Sequence, residues 1–306
     1  TVESTKMKSN ELFEKQTVCL FKKERKRDFN MVLRQIYALY FSPTGSTEKI
    51  VSSIADTLSR LLELPVHSID FTYLENRQKE YHFPNDSLVI IGTPVYAGRI
   101  PNKILPDFKK CIVGAGHTPV IPVCVYGNRN YDEALRELLL LSEENGCIPV
   151  AAAAMISQHA FSDTLAKGRP DIQDFKKLNS FSKNIAQLLK DDSTAVAIDY
   201  DRATPLAPYY TPLKADLTPA RFLKAKPLTD LQKCSHCGLC VRKCPMNSIS
   251  EEDIAKVTGV CIKCQACIKI CPAHAKYFVD EAFLSHVEML ENTYTERKEP
   301  TFIITN

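Results

Sequence analysis

Two closely similar cysteine runs constrain this chain more than any other feature of its sequence. CSHCGLCVRKCP occupies residues 234–245, and CIKCQACIKICP follows at 261–272 with the same spacing. Together they hold eight of the twelve cysteines, and the other four are scattered through the preceding residues. A disulfide framework distributes its cysteines through a small secreted domain, so this clustering instead predicts metal-binding thiolates in a reducing compartment.

Each run follows the pattern C-x2-C-x2-C-x3-C-P, which is the arrangement of bacterial two-cluster ferredoxins. In that arrangement, three closely spaced cysteines bind one [4Fe-4S] cluster and the fourth cysteine binds the neighbouring cluster. By this rule cluster one is bound by Cys234, Cys237, Cys240 and Cys271, and cluster two by Cys261, Cys264, Cys267 and Cys244. A pair of zinc sites is the alternative, but zinc explains only two cysteines of each run.

Two further features of the runs bear on the clusters. Gly238 lets the backbone pass close to the inorganic core, whereas the second run has Gln265 at the same place. Four cations stand among the ligands, and they either raise the reduction potentials of the clusters or are solvated surface residues. These cations are Arg242, Lys243, Lys263 and Lys269.

The residues between 34 and 190 alternate short apolar runs with helical patterns. The apolar runs are QIYALYF (35–41), PVHSID (65–70), SLVIIG (87–92), PVIPVCVYG (119–127) and IPVAAAAMI (148–156). Five strands alternating with helices predict an α/β fold with a doubly wound parallel sheet. Ligands of such sheets bind outside the carboxyl ends of the strands, where the strand order reverses.

Shifts in composition divide the whole chain into five segments. They are a charged and poorly ordered N-terminal extension (1–30), the sheet domain (31–190), a proline-rich connector (191–227), a small α+β cysteine module (228–282), and a C-terminal helix and tail (283–306). We expect the tail to pack back onto one of the two domains.

The charge and hydropathy of the chain exclude several classes of function. The net charge of +3 arises in the first thirty residues, which carry eight Lys/Arg against five Asp/Glu. This charge run has no aromatic residues interleaved, so we expect a solvated segment and no nucleic-acid partner. Neither a membrane-spanning stretch nor a signal-peptide pattern is present, which predicts a soluble, cytoplasmic protein.

The loop SPTGST (42–47) follows the first predicted strand and precedes a helix. Its hydroxyls, its glycine and the free N–H groups of a helix N-terminus together suit a phosphate monoester. An ordinary hydroxyl-capped turn is the alternative. The loop lacks the lysine of a P-loop and the G-x-G-x-x-G of a nicotinamide site, which disfavours a triphosphate or a dinucleotide.

Two more loops are predicted at the same edge of the sheet. GTPVYAGRIP (92–101) follows the third strand and YGNRNYDE (126–133) follows the fourth. Their glycines and tyrosines suit the walls of a site for a flat aromatic ligand.

With these motifs, residues 31–190 resemble a flavodoxin, and SPTGST matches the loop that binds the phosphate of flavin mononucleotide (FMN). The chain after residue 30 resembles the flavodoxin-ferredoxin fusion family of electron-transfer proteins, which are common in anaerobic bacteria and archaea. The resemblance implies a five-stranded flavodoxin-like sheet of order 2-1-3-4-5, a bound FMN and two [4Fe-4S] clusters.

The resemblance also implies site residues for the FMN. The implied phosphate ligands are Ser42, Thr44, Gly45, Ser46 and Thr47. The implied contacts of the flavin ring are Thr93, Pro94, Val95, Tyr96, Gly98, Tyr126, Gly127, Asn128 and Tyr131. Among these, Tyr96 and Tyr131 are the candidates for stacking on the ring, and ordinary packing is their alternative role.

The implied function is electron transfer between the two clusters and the FMN, with redox proteins such as a ferredoxin or an oxidoreductase as partners. No catalytic residue is identified, and a homodimer is left open. Two alternatives remain, namely a flavin-dependent reductase of a quinone, a nitro compound or an oxygen species, and a redox sensor. The lack of a nicotinamide-binding motif favours a protein as the electron donor.

Overall fold

The apolar runs form a parallel sheet in the computed structural model, which describes residues 32–190 and 197–305. The predicted N-terminal extension and the first residues of the connector lie outside these ranges. The elements of the sheet domain are β1 (Gln35–Tyr40), α1 (Ser46–Leu62), β2 (Val66–Asp70), β3 (Tyr81–Phe83), β4 (Ser87–Pro94), α2 (Leu105–Cys111), β5 (Ile112–Gly114), β6 (Thr118–Tyr126), α3 (Ala134–Glu144), β7 (Cys147–Pro149), β8 (Ala151–Ile156) and α4 (Ile172–Lys190). The remaining elements are β9 (Leu228–Thr229), α5 (Leu239–Arg242), α6 (Ala266–Lys269), β10 (Lys276–Tyr277), α7 (Glu281–Thr293) and β11 (Thr301–Ile304).

The five long strands of the sheet pair in parallel in the order β2-β1-β4-β6-β8. Counted along the chain, this is the order 2-1-3-4-5, so the predicted flavodoxin-like fold is confirmed. The central strands β4 and β6 are buried along almost their whole length, which explains why they are continuous apolar runs without alternation.

Helices cover both faces of the sheet. On one face, α1 and α4 pack on the strands through residues such as Ile54 and Leu178. On the other face, α2 and α3 do so through Phe108 and Leu138. Because both faces are covered, ligands reach the sheet at the carboxyl ends of its strands.

The sheet has seven strands, since the short β7 also pairs with β6 and the strand β11, from the C-terminal tail, extends it beyond β8. Strand β11 runs antiparallel to β8, with Phe302 opposite Ala153. The ring of Phe302 stacks on Phe181 of α4, with 4.6 Å between the ring centroids. The sequence predicts that the tail packs on a domain, but no pattern in it identifies this strand.

The cysteine module is built from two short helices and a two-stranded antiparallel sheet. Helices α5 and α6 each follow a residue in the left-handed conformation, Gly238 (φ 69°) and Gln265 (φ 67°). The amide of Gln265 donates a hydrogen bond to the backbone oxygen of Lys263 (3.1 Å), and this local bond supports the strained backbone. Both runs therefore adopt the same turn, although only the first has a glycine there.

The helix α7 follows the module and leads the chain back to the sheet. It begins after Asp280, whose carboxylate accepts a hydrogen bond from the N–H of Phe283 (2.9 Å). Among the described residues, none of the helices combines the length and the apolar character that a membrane span requires.

The substitution Phe302→Ala tests the contribution of β11. Removing this half-buried ring should lower the free energy of unfolding of the sheet edge by about 2 kcal/mol, because the contact with Phe181 is lost. Native-state hydrogen exchange at the amides of β8 measures this loss. The control is Leu223→Ala at an exposed position, and equal protection of β8 in the two variants would contradict the prediction.

Candidate cofactor sites

The loop SPTGST connects the carboxyl end of β1 to the first turn of α1. Gly45 has φ 83°, in the left-handed region, and immediately precedes the helix. A Cβ atom at this position would meet no atom within 4 Å. The glycine is therefore needed for its backbone conformation and not for space.

Ser42 uses its polar groups to fix this loop. Its N–H donates to the hydroxyl oxygen of Thr72 (2.8 Å), and its own hydroxyl oxygen accepts from the N–H of Glu48 (3.0 Å). Ser42 therefore stabilises the turn internally through its N–H and its hydroxyl oxygen, and its role as a phosphate ligand stays a prediction.

Three other residues of the loop keep their donors free. Within the part of the chain that the structure describes, the N–H groups and hydroxyls of Thr44, Ser46 and Thr47 make no hydrogen bond. Thr47 is only 2% exposed, so its free hydroxyl belongs to a buried residue. Unpaired donors at the N-terminus of a helix attract an anion, and this donor set fits a phosphate group.

The 93–99 loop ends in a tight turn. Tyr96 and Arg99 exchange two backbone hydrogen bonds (2.9 and 3.1 Å) around Ala97 and Gly98, both of which have positive φ. A Cβ atom on Gly98 would lie 2.1 Å from the carboxylate of Asp132, so this glycine also permits close contact with the next loop. Thr93, Pro94 and Val95 form the end of β4 and the start of this turn.

Tyr96 lies within electrostatic reach of the second cysteine run. Desolvation raises the pKa of Tyr96 well above its usual value, and the interaction with Cys264 and Cys261 adds to this shift. The phenol therefore stays protonated, and it brings the 93–99 loop next to the second cysteine run.

The 126–132 loop is engaged by the C-terminal tail. The side-chain amide of Asn128 donates to the backbone oxygens of Tyr294 (2.7 Å) and Glu296 (2.8 Å) and accepts from the N–H of Lys298 (3.3 Å). The hydroxyl of Tyr131 donates to that of Thr301 (3.3 Å). These side chains therefore have partners within the chain, and their contact with a flavin ring stays a prediction.

Two other residues proposed as contacts of the flavin ring, Tyr126 and Gly127, pack against neighbouring side chains. Tyr126 is buried, with its ring centroid 5.4 Å from that of Tyr131. Gly127 lies so close to His159 that a Cβ atom would come within 2.4 Å of the imidazole. Burial lowers the pKa of this histidine to about 3, so it is neutral at physiological pH.

The four cysteines predicted for cluster two surround one enclosed cavity in the module. They are Cys244, Cys261, Cys264 and Cys267. Cys244 belongs to the first run and the other three belong to the second, so the chain brings together the four cysteines of one crossed set, and their binding of a cluster stays a prediction. The N–H of Ser248 donates to the sulfur of Cys244 (3.4 Å), which is the kind of bond that tunes a cluster's reduction potential.

Burial opposes ionisation of the thiols around this cavity. It raises the pKa of Cys267 to about 12 and that of Cys264 further, and neighbouring thiolates add to both shifts. Metal binding requires the thiolate form, so iron must displace these protons when a cluster assembles.

The cysteines predicted for cluster one differ from one another in exposure. Cys237 is exposed, although Cys240 is buried. The N–H of Ala275 donates to the sulfur of Cys271 (3.3 Å), in the same way that Ser248 bonds to Cys244. Within the described ranges, no three His, Cys, Asp or Glu side chains form a group that would hold a single metal ion.

The cysteine module contacts the sheet domain through the loop after β2. The guanidinium of Arg77, which is 3% exposed, donates to the backbone oxygen of Pro245 (2.6 Å). The ammonium of Lys243 donates to the hydroxyl of Tyr73 (2.7 Å). Met246 and Ile262 pack against the core of the sheet domain. The module therefore lies at the carboxyl edge of the sheet, an interface that the sequence analysis did not identify.

Comparison with known proteins agrees with this division of the chain. Residues 226–272, which contain all eight clustered cysteines, match the family described as 4Fe-4S dicluster domain. Over 136 residues the chain is 25% identical to NAD(P)H-quinone oxidoreductase subunit I of Gloeobacter violaceus, a match that covers 40% of this chain. The chain spans 64% of the length of that relative.

Solved flavodoxins are also similar to part of the chain. A flavodoxin from the domain Archaea is 13% identical, with a TM-score of 0.37, and the match covers 51% of this chain and 99% of that one. The flavodoxin of Streptococcus pneumonia TIGR4 is 18% identical, with a TM-score of 0.35, and the match covers 50% of this chain and 98% of that one. The strand order of the sheet and the dicluster match together give a flavodoxin-like domain followed by a ferredoxin-like dicluster region.

The substitution Cys271→Ser tests the crossed assignment of ligands. Loss of this thiolate should release the cluster held by the first run, so Cys234, Cys237 and Cys240 should become reactive toward an alkylating agent under anaerobic conditions. Mass spectrometry of the alkylated peptides identifies the free thiols.

The matched control for this experiment is Cys147→Ser, because Cys147 is a buried cysteine outside both runs. It should leave all eight clustered cysteines protected. Alkylation of Cys261, Cys264 and Cys267 in the Cys271→Ser variant, with the first run still protected, would show that the ligands are not crossed.

Proposed function

We propose that this protein transfers electrons between two [4Fe-4S] clusters and a bound FMN. The observation that carries the proposal is the position of the second cysteine run. This run lies beside Tyr96, on a loop at the carboxyl edge of the sheet, where doubly wound folds bind their ligands. The flavin site and the second cysteine run would thus lie at the same carboxyl edge of the sheet.

The fit of the hydroxyl loop to a phosphate supports FMN as the flavin. The free donors of Thr44, Ser46 and Thr47 would hold the phosphate, and Gly45 would shape the turn. The segment from Thr93 to Tyr96 would lie along the ring, since Tyr131 and Asn128 already bond to the tail. When bound, FMN would supply two-electron chemistry beside the one-electron chemistry of the clusters.

The surroundings of the cysteines favour one order of the two clusters. Cluster two, whose cysteines line the cavity within electrostatic reach of Tyr96, would be the neighbour of the flavin. Cluster one, with the exposed Cys237, would face a redox partner protein in solution. The chain itself would fix the distances between the flavin and the clusters, because the hydrogen bond from Arg77 to Pro245 holds the cysteine module on the sheet domain.

Anaerobic reconstitution with iron, sulfide and FMN tests the proposed cofactors. We expect about eight iron and eight sulfide ions per chain, which is two cubane clusters, together with one FMN. Zinc without labile sulfide would contradict the clusters, and a chain that stays free of flavin would contradict the FMN site.

A stopped-flow experiment then tests the proposed electron transfer. Reduced ferredoxin is mixed with the reconstituted protein, and the flavin absorbance should change only after the clusters have been reduced. Saturable turnover of one quinone, nitro compound or oxygen species in the same assay would favour a substrate-specific reductase. Reduction without transfer to any acceptor would favour a redox sensor.

The substitution Thr47→Val tests the phosphate site. It should weaken FMN binding by about tenfold, because a hydroxyl that bonds to a charged group contributes about 1.5 kcal/mol or more. Fluorescence titration of FMN measures the dissociation constant.

The matched control for the phosphate site is Thr57→Val. It makes the same exchange at a second buried threonine of α1, remote from the hydroxyl loop. Equal FMN affinity of the two variants would contradict the assignment of Thr47.

A further inference from the structure

Lys276 is a buried cation that follows the second cysteine run and is not among the four cations of the runs themselves. It is the first residue of β10 and is only 4% exposed. Its neighbour Ala275 is fully buried and bonds through its N–H to the sulfur of Cys271. Strand β10 also packs against α6, the helix that carries Cys267.

The ammonium of Lys276 lacks a carboxylate partner. Its Nζ donates to the backbone oxygen of Ile254 (2.5 Å), and in the described ranges no carboxylate lies within ion-pair distance. The carboxylate next to Ile254, that of Asp253, pairs instead with Lys256 (3.2 Å). A buried ammonium without an anionic partner is destabilising, so such a group calls for a compensating negative charge.

Cysteines of both cluster sites lie within electrostatic reach of this ammonium, as does the carboxylate of Asp253. The positive charge of Lys276 lowers the pKa of Cys240, a predicted ligand of cluster one, and that of Cys267, a predicted ligand of cluster two. In both thiols it works against the effect of burial, which is larger. Lys276 therefore lies within electrostatic reach of both sites.

The four cations within the runs have other surroundings. Lys243 is exposed and bonds to Tyr73, and Lys269 is exposed near Asp163. Lys263 is partly buried and donates to the backbone oxygens of Leu223 and Cys261. Arg242 is exposed and donates to the backbone oxygen of Cys237 (3.1 Å). Solvent screens the three exposed charges, whereas Lys276 is more deeply buried than any of the four and acts at low dielectric.

We propose that Lys276 is the shared counter-charge of the two clusters and raises the reduction potentials of both. Each cluster becomes more negative by one charge when it accepts one electron from a one-electron donor. A fixed buried cation stabilises that reduced form more than the oxidised form. Lys276 is a positioning residue in this role, since it acts through the cluster environment and not by contact with a substrate. The inference rests on the two clusters of the proposed function.

The test compares Lys276→Met with Lys276→Arg in the full chain, reconstituted anaerobically. Dithionite titration followed by electron paramagnetic resonance measures the midpoint potential of each cluster. Lys276→Met should shift both potentials to more negative values, because the positive charge is lost. Lys276→Arg should restore both toward the wild-type values, because it keeps the charge. The control Lys256→Met removes an exposed lysine of the same module and should shift neither.

Two outcomes would overturn the inference. One is a Lys276→Met variant with full iron and sulfide content and unchanged potentials, and the other is a shift confined to a single cluster. If Lys276→Met does not assemble its clusters, Lys276→Gln is titrated instead, because its amide still donates to the oxygen of Ile254. Wild-type protein without clusters would contradict the proposed function itself, so the two failures are distinguishable by iron and sulfide analysis.

Discussion

The hydrogen bonds of Thr72 and Arg77 connect the hydroxyl loop of the sheet domain to the cysteine module. The position of one candidate cofactor site relative to the other depends on them. The hydroxyl oxygen of Thr72 accepts from the N–H of Ser42 in the hydroxyl loop, and its backbone oxygen accepts from the guanidinium of Arg77. Arg77 in turn donates to the backbone oxygen of Pro245, next to Cys244. Because this guanidinium is buried and also pairs with Asp107, separating the module from the sheet would leave a buried charge with fewer partners.

The sequence was sufficient to predict the features that local patterns determine. Strands such as β4 and β6 are buried on both faces, so their apolar runs were recognisable, and their alternation with helices predicted the parallel sheet. The spacing of the cysteines predicted the dicluster region for a similar reason, since three ligands of one cluster fall within seven residues. In both cases the informative residues are close together in the chain.

Features that depend on distant contacts could not be predicted. Strand β11 is a short apolar segment at the end of the chain, and nothing in its sequence specifies pairing with β8. The two tyrosines proposed for the flavin ring looked equivalent in sequence, but Tyr131 bonds to the tail and Tyr96 faces the cysteines. Lys276 was missed because it lies outside both runs, and its burial beside them follows from the fold, in which β10 pairs with β9 and packs against α6.

The return of the chain to the sheet as β11 makes the cysteine module an insertion and not an appendage. The segment before the module stays bonded to the sheet domain as far as Tyr210, and the segment after the module rejoins the same sheet beside β8. With both ends tethered to one body, the module keeps a high effective concentration at its docking site even when the contact at Arg77 opens. When this contact opens, the module therefore re-docks by an intramolecular step, which does not depend on the concentration of the protein.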